Sequence, residues 1–246
     1  MTESAFQIVG MDRPSRWVVT CDHATNRVPE NVNGGDLGVP TADMVRHIAY
    51  DIGAAGVTRA LAAALDAPAI LSNFSRLVID PNRGEDDPTL VMRIYDGSII
   101  PANRHVGKDE IERRLEAYHR PYHQALANLL ADRRDPVIAA VHSFTPQLHG
   151  RPPRPWHVGI LHAGDIRLAH PVLTRLRAEA DLCVGENQPY SGHLEGDAMD
   201  RHALKAGYPN VLVELRNDLI DTMPKQREWG VRLASVLDAA LQDAQV

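Results

Sequence analysis

Uninterrupted apolar runs of strand length recur along this chain, and stretches of helical periodicity lie between them. The runs are "RWVVTC", "PAILSN", "RLVID", "PVIAAVHS", "HVGILH", "LCVGEN" and "NVLVEL". A strand that is apolar at consecutive positions, rather than alternate ones, is covered on both faces, so the sheet it joins needs helices on each side. Helix patterns fall at 41–65, after a Thr41 cap, at 107–134, around 166–180 and around 222–242. The second starts with acids and ends with bases, as the helix dipole favours. The alternation predicts an α/β fold with a mixed, mainly parallel sheet covered by helices on both faces.

At 246 residues, 44% hydrophobic and 24% charged, the chain can bury a full core, and no repeat or linker divides it, so one domain over 1–246 is expected. A formal charge of −6 spread along the sequence leaves no footprint for nucleic acid or an anionic membrane, and a small-molecule partner is expected instead. The only cysteines, Cys21 and Cys183, are far apart and form no Cys-x-x-Cys pair, which excludes a thiolate zinc site and suits a reducing cytoplasm. No window reaches ~20 apolar residues, and the N-terminal stretch lacks a signal-peptide core, so a cytoplasmic location is expected. Nothing in the sequence fixes the oligomeric state.

Open α/β sheets bind ligands beyond the carboxyl ends of their strands, and polar clusters stand at such ends here. Asp22 and His23 follow the first run, Asp80 to Arg83 follow "RLVI", His142 and Ser143 follow "VIAAV", and Glu214 with Arg216 close "NVLVEL". A lone histidine in such a place more often bonds a spare carbonyl, whereas two histidines and a carboxylate are the usual ligands of a catalytic zinc. In the 41–65 pattern His47 and Asp51 are four residues apart, on one helical face. Asp51 interrupts an Ala- and Gly-rich run where a buried charge needs a partner. It can equally lie on a solvated stripe or pair with His47 alone. His119 and His123 in "YHRPYH" also have metal-pair spacing, but Pro121 and the flanking tyrosines read better as a kinked helix packing on the sheet, with His123 behind the site.

The set "CDHATNRVP", "HIAYDIGA", "SRLVIDPNR", "YHRPYH", "HSFTP", "RPWHVGILH", "NQPYSG" and "VELRNDLI" resembles the N-formylglutamate amidohydrolase family in order and spacing. It covers 17–220, and its variant spelling resembles the branch called predicted N-formylglutamate amidohydrolases. The resemblance implies a three-layer αβα fold like that of zinc carboxypeptidases and phosphorylase/hydrolase-like proteins, with one zinc ion. It implies His23, Asp51 and His142 as metal ligands and Glu214 as general base. Better characterised members read Pro-His-Ser-Gly where this chain has Asp22-His23-Ala24-Thr25.

The implied reaction is hydrolysis of an N-formyl or N-acyl amino acid, N-formyl-L-glutamate first. Arg83, at the mouth of the loop after "VIDPN", is the first choice for the oxyanion or for a substrate carboxylate. Arg76 either contacts substrate or pairs with Asp80, whose strand face it shares. Asn187, Tyr190, Ser191 and Gly192 either hold the substrate's far end or form an ordinary Pro/Gly turn. Two other readings stay open at this level. One is a carboxypeptidase- or muramoyl-peptide-amidase-like enzyme, and the other is a non-catalytic small-molecule binding protein on the same fold. Alternation along "NVLVEL" also leaves Glu214 free to be a structural partner of Arg216.

Overall fold

The structure, a computed structural model, describes residues 4–192 and 194–246. Its strands are β1 (Phe6–Val9), β2 (Trp17–Cys21), β3 (Ala69–Ser72), β4 (Ile94–Tyr95), β5 (Ser98–Ile99), β6 (Val137–Phe144), β7 (Val158–Leu161), β8 (Val184–Glu186) and β9 (Asn210–Arg216). The α-helices are α1 (Thr41–Met44), α2 (Ala54–Ala64), α3 (Lys108–Arg114), α4 (Arg120–Ala131), α5 (Ala169–Arg177) and α6 (Met223–Ala244). Seven strands form one sheet in the order β1-β3-β2-β6-β9-β7-β8, and β4 and β5 make a separate hairpin. β3, β2, β6 and β9 run parallel, β9 meets β7 antiparallel, and β1 is an antiparallel edge.

The continuous apolar runs are explained by this placement. β2 and β6 are buried at every position because helices cover both faces. On one face Val19, Ala139, Val141, Val211 and Val213 pack under α2, α5 and α6. On the other, Val18, Ile138, Ala140 and Leu212 pack under α4 and the turn at Asp200–Leu204. A third cluster, built on Leu37, Phe74, Leu77, Ile79 and Tyr118, lies beneath the loops at the sheet's carboxyl end and holds them in place.

Two expected elements take a different form. "RLVID" is not a strand. It is a helical turn closed by Val78 N–H donating to Ser75 O, and its apolar side chains feed the loop cluster rather than the sheet. The 41–65 pattern is not one helix either, since α1 ends at Met44 and α2 begins at Ala54. Between them the backbone bonds to neighbouring loops. Met44 O accepts from the Asn26 side chain, and Asp51 N–H donates to His23 O at 2.9 Å. His47 and Asp51 therefore do not share a helical face. The 107–134 pattern forms as α3 and α4 joined through a π turn, Leu115–His119, immediately before Pro121.

Gly53 sets the break before α2. Its φ of +82° is a left-handed conformation, and a Cβ there would lie 2.2 Å from Ile220 O. Replacing it with alanine should cost upward of about 1–3 kcal/mol. Gly107→Ala, at a helix start with nothing within 4 Å of an added Cβ, should be nearly neutral. Denaturant unfolding of both variants checks this, and equal stability would contradict it.

Candidate metal centre

The carboxyl ends of β2, β6 and β9 converge on one cavity of about 250 Å³, lined by His23, Asp51, His142, Glu214, Arg76 and Arg83 among others. Each side chain arrives for a local reason. His23 is the second residue beyond β2, where the chain leaves the sheet. His142 lies on β6 directly opposite Glu214 of β9 in the parallel register, so the two project on the same face. Asp51 is fastened to His23 through the main chain, and Ser143 N–H donates to its Oδ2 at 3.2 Å.

One potential ligand atom from each of His23, Asp51 and His142 lies within 4.8 Å of the others, and all three residues are buried. His23 Nδ1 is 3.3 Å and His142 Nδ1 2.9 Å from the same oxygen, Asp51 Oδ2. The outward nitrogens face carboxylates, Asp80 Oδ1 at 2.7 Å from His23 Nε2 and Asp22 Oδ2 at 3.3 Å from His142 Nε2. Tyr122 O–H donates to the other oxygen of Asp22 at 2.5 Å. Asp80 is hydrogen-bonded behind His23, whereas His142 Nε2 and Asp22 Oδ2 make no hydrogen bond and Asp22 acts on His142 through its charge. A carboxylate behind a ligating imidazole is the usual arrangement around a bound metal. Among the described residues this is the one grouping of three such side chains.

The charges fit a cation as well. Burial favours neutral carboxyls, but for Asp51 the charge of His23 and the contact with His142 outweigh it, and its pKa is lowered. Asp80 is held well below the ordinary carboxylate range against the same burial cost, mainly by Arg76. Asp22 is lowered against burial by His142. Three ionised carboxylates thus meet one buried guanidinium, Arg76, whose Nε and Nη2 bond Asp80 Oδ2 and whose Nη1 lies 3.6 Å from Asp51 Oδ1. Despite its burial, His142 is driven well above its usual pKa by Asp22 and Asp51, so a proton answers part of the excess. A divalent ion answers all of it, with both histidines neutral.

Glu214 is 6% exposed, and its Oε2 has no hydrogen-bond partner among the described residues. Burial pushes its carboxyl up to about 7, with His142 pulling the other way. The expected alternative partner, Arg216, turns away. Its Nε donates to Asp218 at 2.8 Å, which overturns the Glu214–Arg216 pair. Arg76 and Asp80 do pair, through the i, i+4 geometry of the turn rather than along a strand face.

The "NQPYSG" residues divide. Tyr190, Ser191 and Gly192 line the cavity, and Asn187 does not. Asn187 Oδ1 accepts from His162 N–H at 2.9 Å, a bond that seats the loop. Gly192 also belongs to that seat, since a Cβ there would lie 2.2 Å from His162 backbone atoms. Tyr190 O–H accepts from Arg154, whose guanidinium lies 5.0 Å from its ring centre, and burial followed by the Glu214 charge raises its pKa to about 12. Arg83 lines the cavity, with Nε bonded to Thr89 Oγ1 at 3.1 Å and Nη1 to Asn82 O at 2.7 Å.

The other histidines stand apart from the three. His47 lines the cavity near Asp96. His119 Nε2 lies 3.0 Å from Arg83 O, and His123 Nδ1 lies 2.9 Å from His202 Nε2. The Tyr190–Arg154 contact and the cavity positions of Tyr95 and Asp197 carry no local sequence signal, whereas Asp22 and Asp80 stand in the polar clusters that follow "RWVVTC" and "RLVI".

A buried two-histidine, one-carboxylate cluster beside a buried glutamate, at the carboxyl edge of an α/β sheet, has the donor set that a hydrolase's catalytic metal site would use. The family model for N-formylglutamate amidohydrolase matches residues 15–221, and the chain belongs to that family. A gene product from Agrobacterium tumefaciens is 31% identical with a TM-score of 0.93, covering 100% of this chain and 98% of its own. N-formylglutamate amidohydrolase from Ralstonia eutropha is 18% identical with a TM-score of 0.56, covering 96% of this chain and 99% of its own, a likeness of fold. No curated protein matches.

The carboxylates behind the histidines make a direct prediction. Asp22→Asn keeps shape and removes charge, so divalent-metal affinity should fall about 10–100-fold while the fold persists. Competition against a zinc chelator, with circular dichroism as the control, measures it. Unchanged affinity would remove Asp22 from the site.

Proposed function

We propose that this chain is a zinc-dependent amidohydrolase that cleaves the amide of an N-formyl or other N-acyl amino acid. The reaction the family is named for, N-formyl-L-glutamate to formate and glutamate, is the first case. The observation that carries the reading is the orphaned, buried Glu214 beside the His23, Asp51 and His142 donor set, within a family of amidohydrolases. Zinc suits two imidazoles and a carboxylate and, when bound, supplies Lewis-acid polarisation of a carbonyl and acidification of water.

The chain's own residues do the rest. Glu214 takes a proton from the attacking water and delivers it to the leaving nitrogen, a role that needs a carboxyl poised near neutrality and free of a competing partner. Arg83 holds the substrate carboxylate by charge-assisted hydrogen bonds, for which it has donors to spare. Arg76, fully engaged with Asp80 and near Asp51, orients the ligand carboxylates instead. Tyr190, Ser191 and Gly192 close the far wall. The cavity, at about 250 Å³, suits a small amide rather than a polymer.

A zinc-reconstituted panel of N-formyl and N-acetyl amino acids, read by amine release, tests the reading, and no turnover across it would end it. Glu214→Gln should keep zinc stoichiometry and lower kcat by at least ~10²-fold. The sign of the pH dependence follows from burial. Glu214 is neutral below its pKa and active above it, and a nearby cation favours the ionised form. kcat/KM should therefore rise with pH along an acid limb at or below about 7, and the variant should lack that limb.

Arg83→Ala should mainly raise KM for N-formyl amino acids, by the equivalent of about 1.5–3 kcal/mol, with metal content unchanged. An equal loss on a neutral N-formyl amide would move Arg83 to the oxyanion. No effect on either would remove it from the site.

A further inference from the structure

A second cavity, of about 700 Å³, adjoins the first and shares two of its lining residues, Arg83 and Tyr95. Arg83 and Tyr95 therefore stand at the boundary between them. Arg83 is held at the rim by a threonine hydroxyl and a carbonyl, and among the described residues no carboxylate lies within ion-pair range of it. Tyr95 belongs to the short β4–β5 hairpin and stacks under the Arg76 guanidinium, 5.4 Å from its ring centre.

The two spaces differ in chemistry. The first carries the metal ligands and Glu214, and its volume lies below the ~300–1,000 Å³ usual for small-molecule pockets, so it holds the reacting amide and the carboxylate and little more. The second is walled by Leu90, Val91, Met92, Ile94 and Ile111. Of its acids Glu85 is paired with Arg120 at 2.9 Å, which leaves Asp86 and Asp87 beside its bases, Arg83 and Arg93. With Arg83 occupied by a substrate carboxylate, the remaining field repels a second anion, while the apolar wall favours hydrocarbon. An α-carboxylate on Arg83 leaves the substituent on the same carbon facing Tyr95 and the space beyond.

Resting on the amidohydrolase reading above, we infer that the second cavity is the side-chain subsite and that the substrates are N-acyl amino acids with long apolar side chains. Ile94 is 63% exposed on the hairpin and Ile111 lies on α3, so a bulky residue at either fills the cavity without entering the metal site.

The experiment is steady-state hydrolysis by the zinc-loaded full chain of N-formylalanine, N-formylmethionine and N-formylglutamate, by wild type, Ile94→Trp and Ile111→Trp. The expected result is a kcat/KM for N-formylmethionine roughly tenfold or more above N-formylalanine, the range a few added methylenes give in an apolar pocket, and at least equal to N-formylglutamate. Each tryptophan variant should erase the methionine advantage and leave N-formylalanine at the wild-type rate. The melting temperature of each variant is recorded as the folding control, and one folded variant suffices. Turnover of N-formylglutamate with no gain for methionine over alanine overturns the subsite and leaves the amidohydrolase reading standing. A methionine advantage that survives both fillings places the side chain elsewhere and also overturns it. No turnover of any of the three overturns both.

Discussion

Three carboxylates, Asp22, Asp51 and Asp80, are buried at one end of the sheet around two imidazoles and a single guanidinium. Charges taken from water at this depth cost several kcal/mol each unless they are paired, and that cost organises the surrounding structure. β2 ends where it does because the next residues must reach the cluster, and β6 carries His142 to it within the strand. The chain between α1 and α2 gives up helical hydrogen bonds so that Asp51 can bond the backbone of His23. The turn after β3 coils tightly enough to lay Arg76 along Asp80. Tyr122 crosses from α4 to satisfy the far oxygen of Asp22.

The same charge excess ties the fold to chemistry. Without a cation the cluster relies on a proton at His142, and Glu214, which gains no partner from it, stays near its neutral form. A divalent cation bound there would take the place of that proton and would favour the ionised form of Glu214. On the reading proposed above, the cavity would present a small amide to Glu214, with its carboxylate at Arg83 and its side chain toward the second cavity.

The sheet was largely legible in the sequence. Six of the apolar runs are strands of the main sheet, because a strand covered on both faces writes its burial at every position. "RLVID" misled for the same reason, since a buried loop cluster demands the same residues as a buried strand. The unbroken helical spacing of 41–65 hid a break in the helix that Gly53 and the backbone bond to His23 impose, and neither is visible as periodicity. His23, Asp51 and His142 converge although His47 and Asp51 share no helix face, so that pairing argument reached a residue in the cluster by a wrong route. The shared wall of the two cavities joins residues from the turn after β3 and the hairpin, and long-range placement of that kind leaves no local signal.

Anomalous diffraction at the zinc edge from crystals grown with zinc tests the central claim most directly. The account predicts one strong peak per chain, at coordination distance from His23 Nδ1, Asp51 and His142 Nδ1, with Asp80 and Asp22 still behind the Nε2 atoms. A peak elsewhere, ligation through either Nε2, or no peak in zinc-loaded crystals would contradict it.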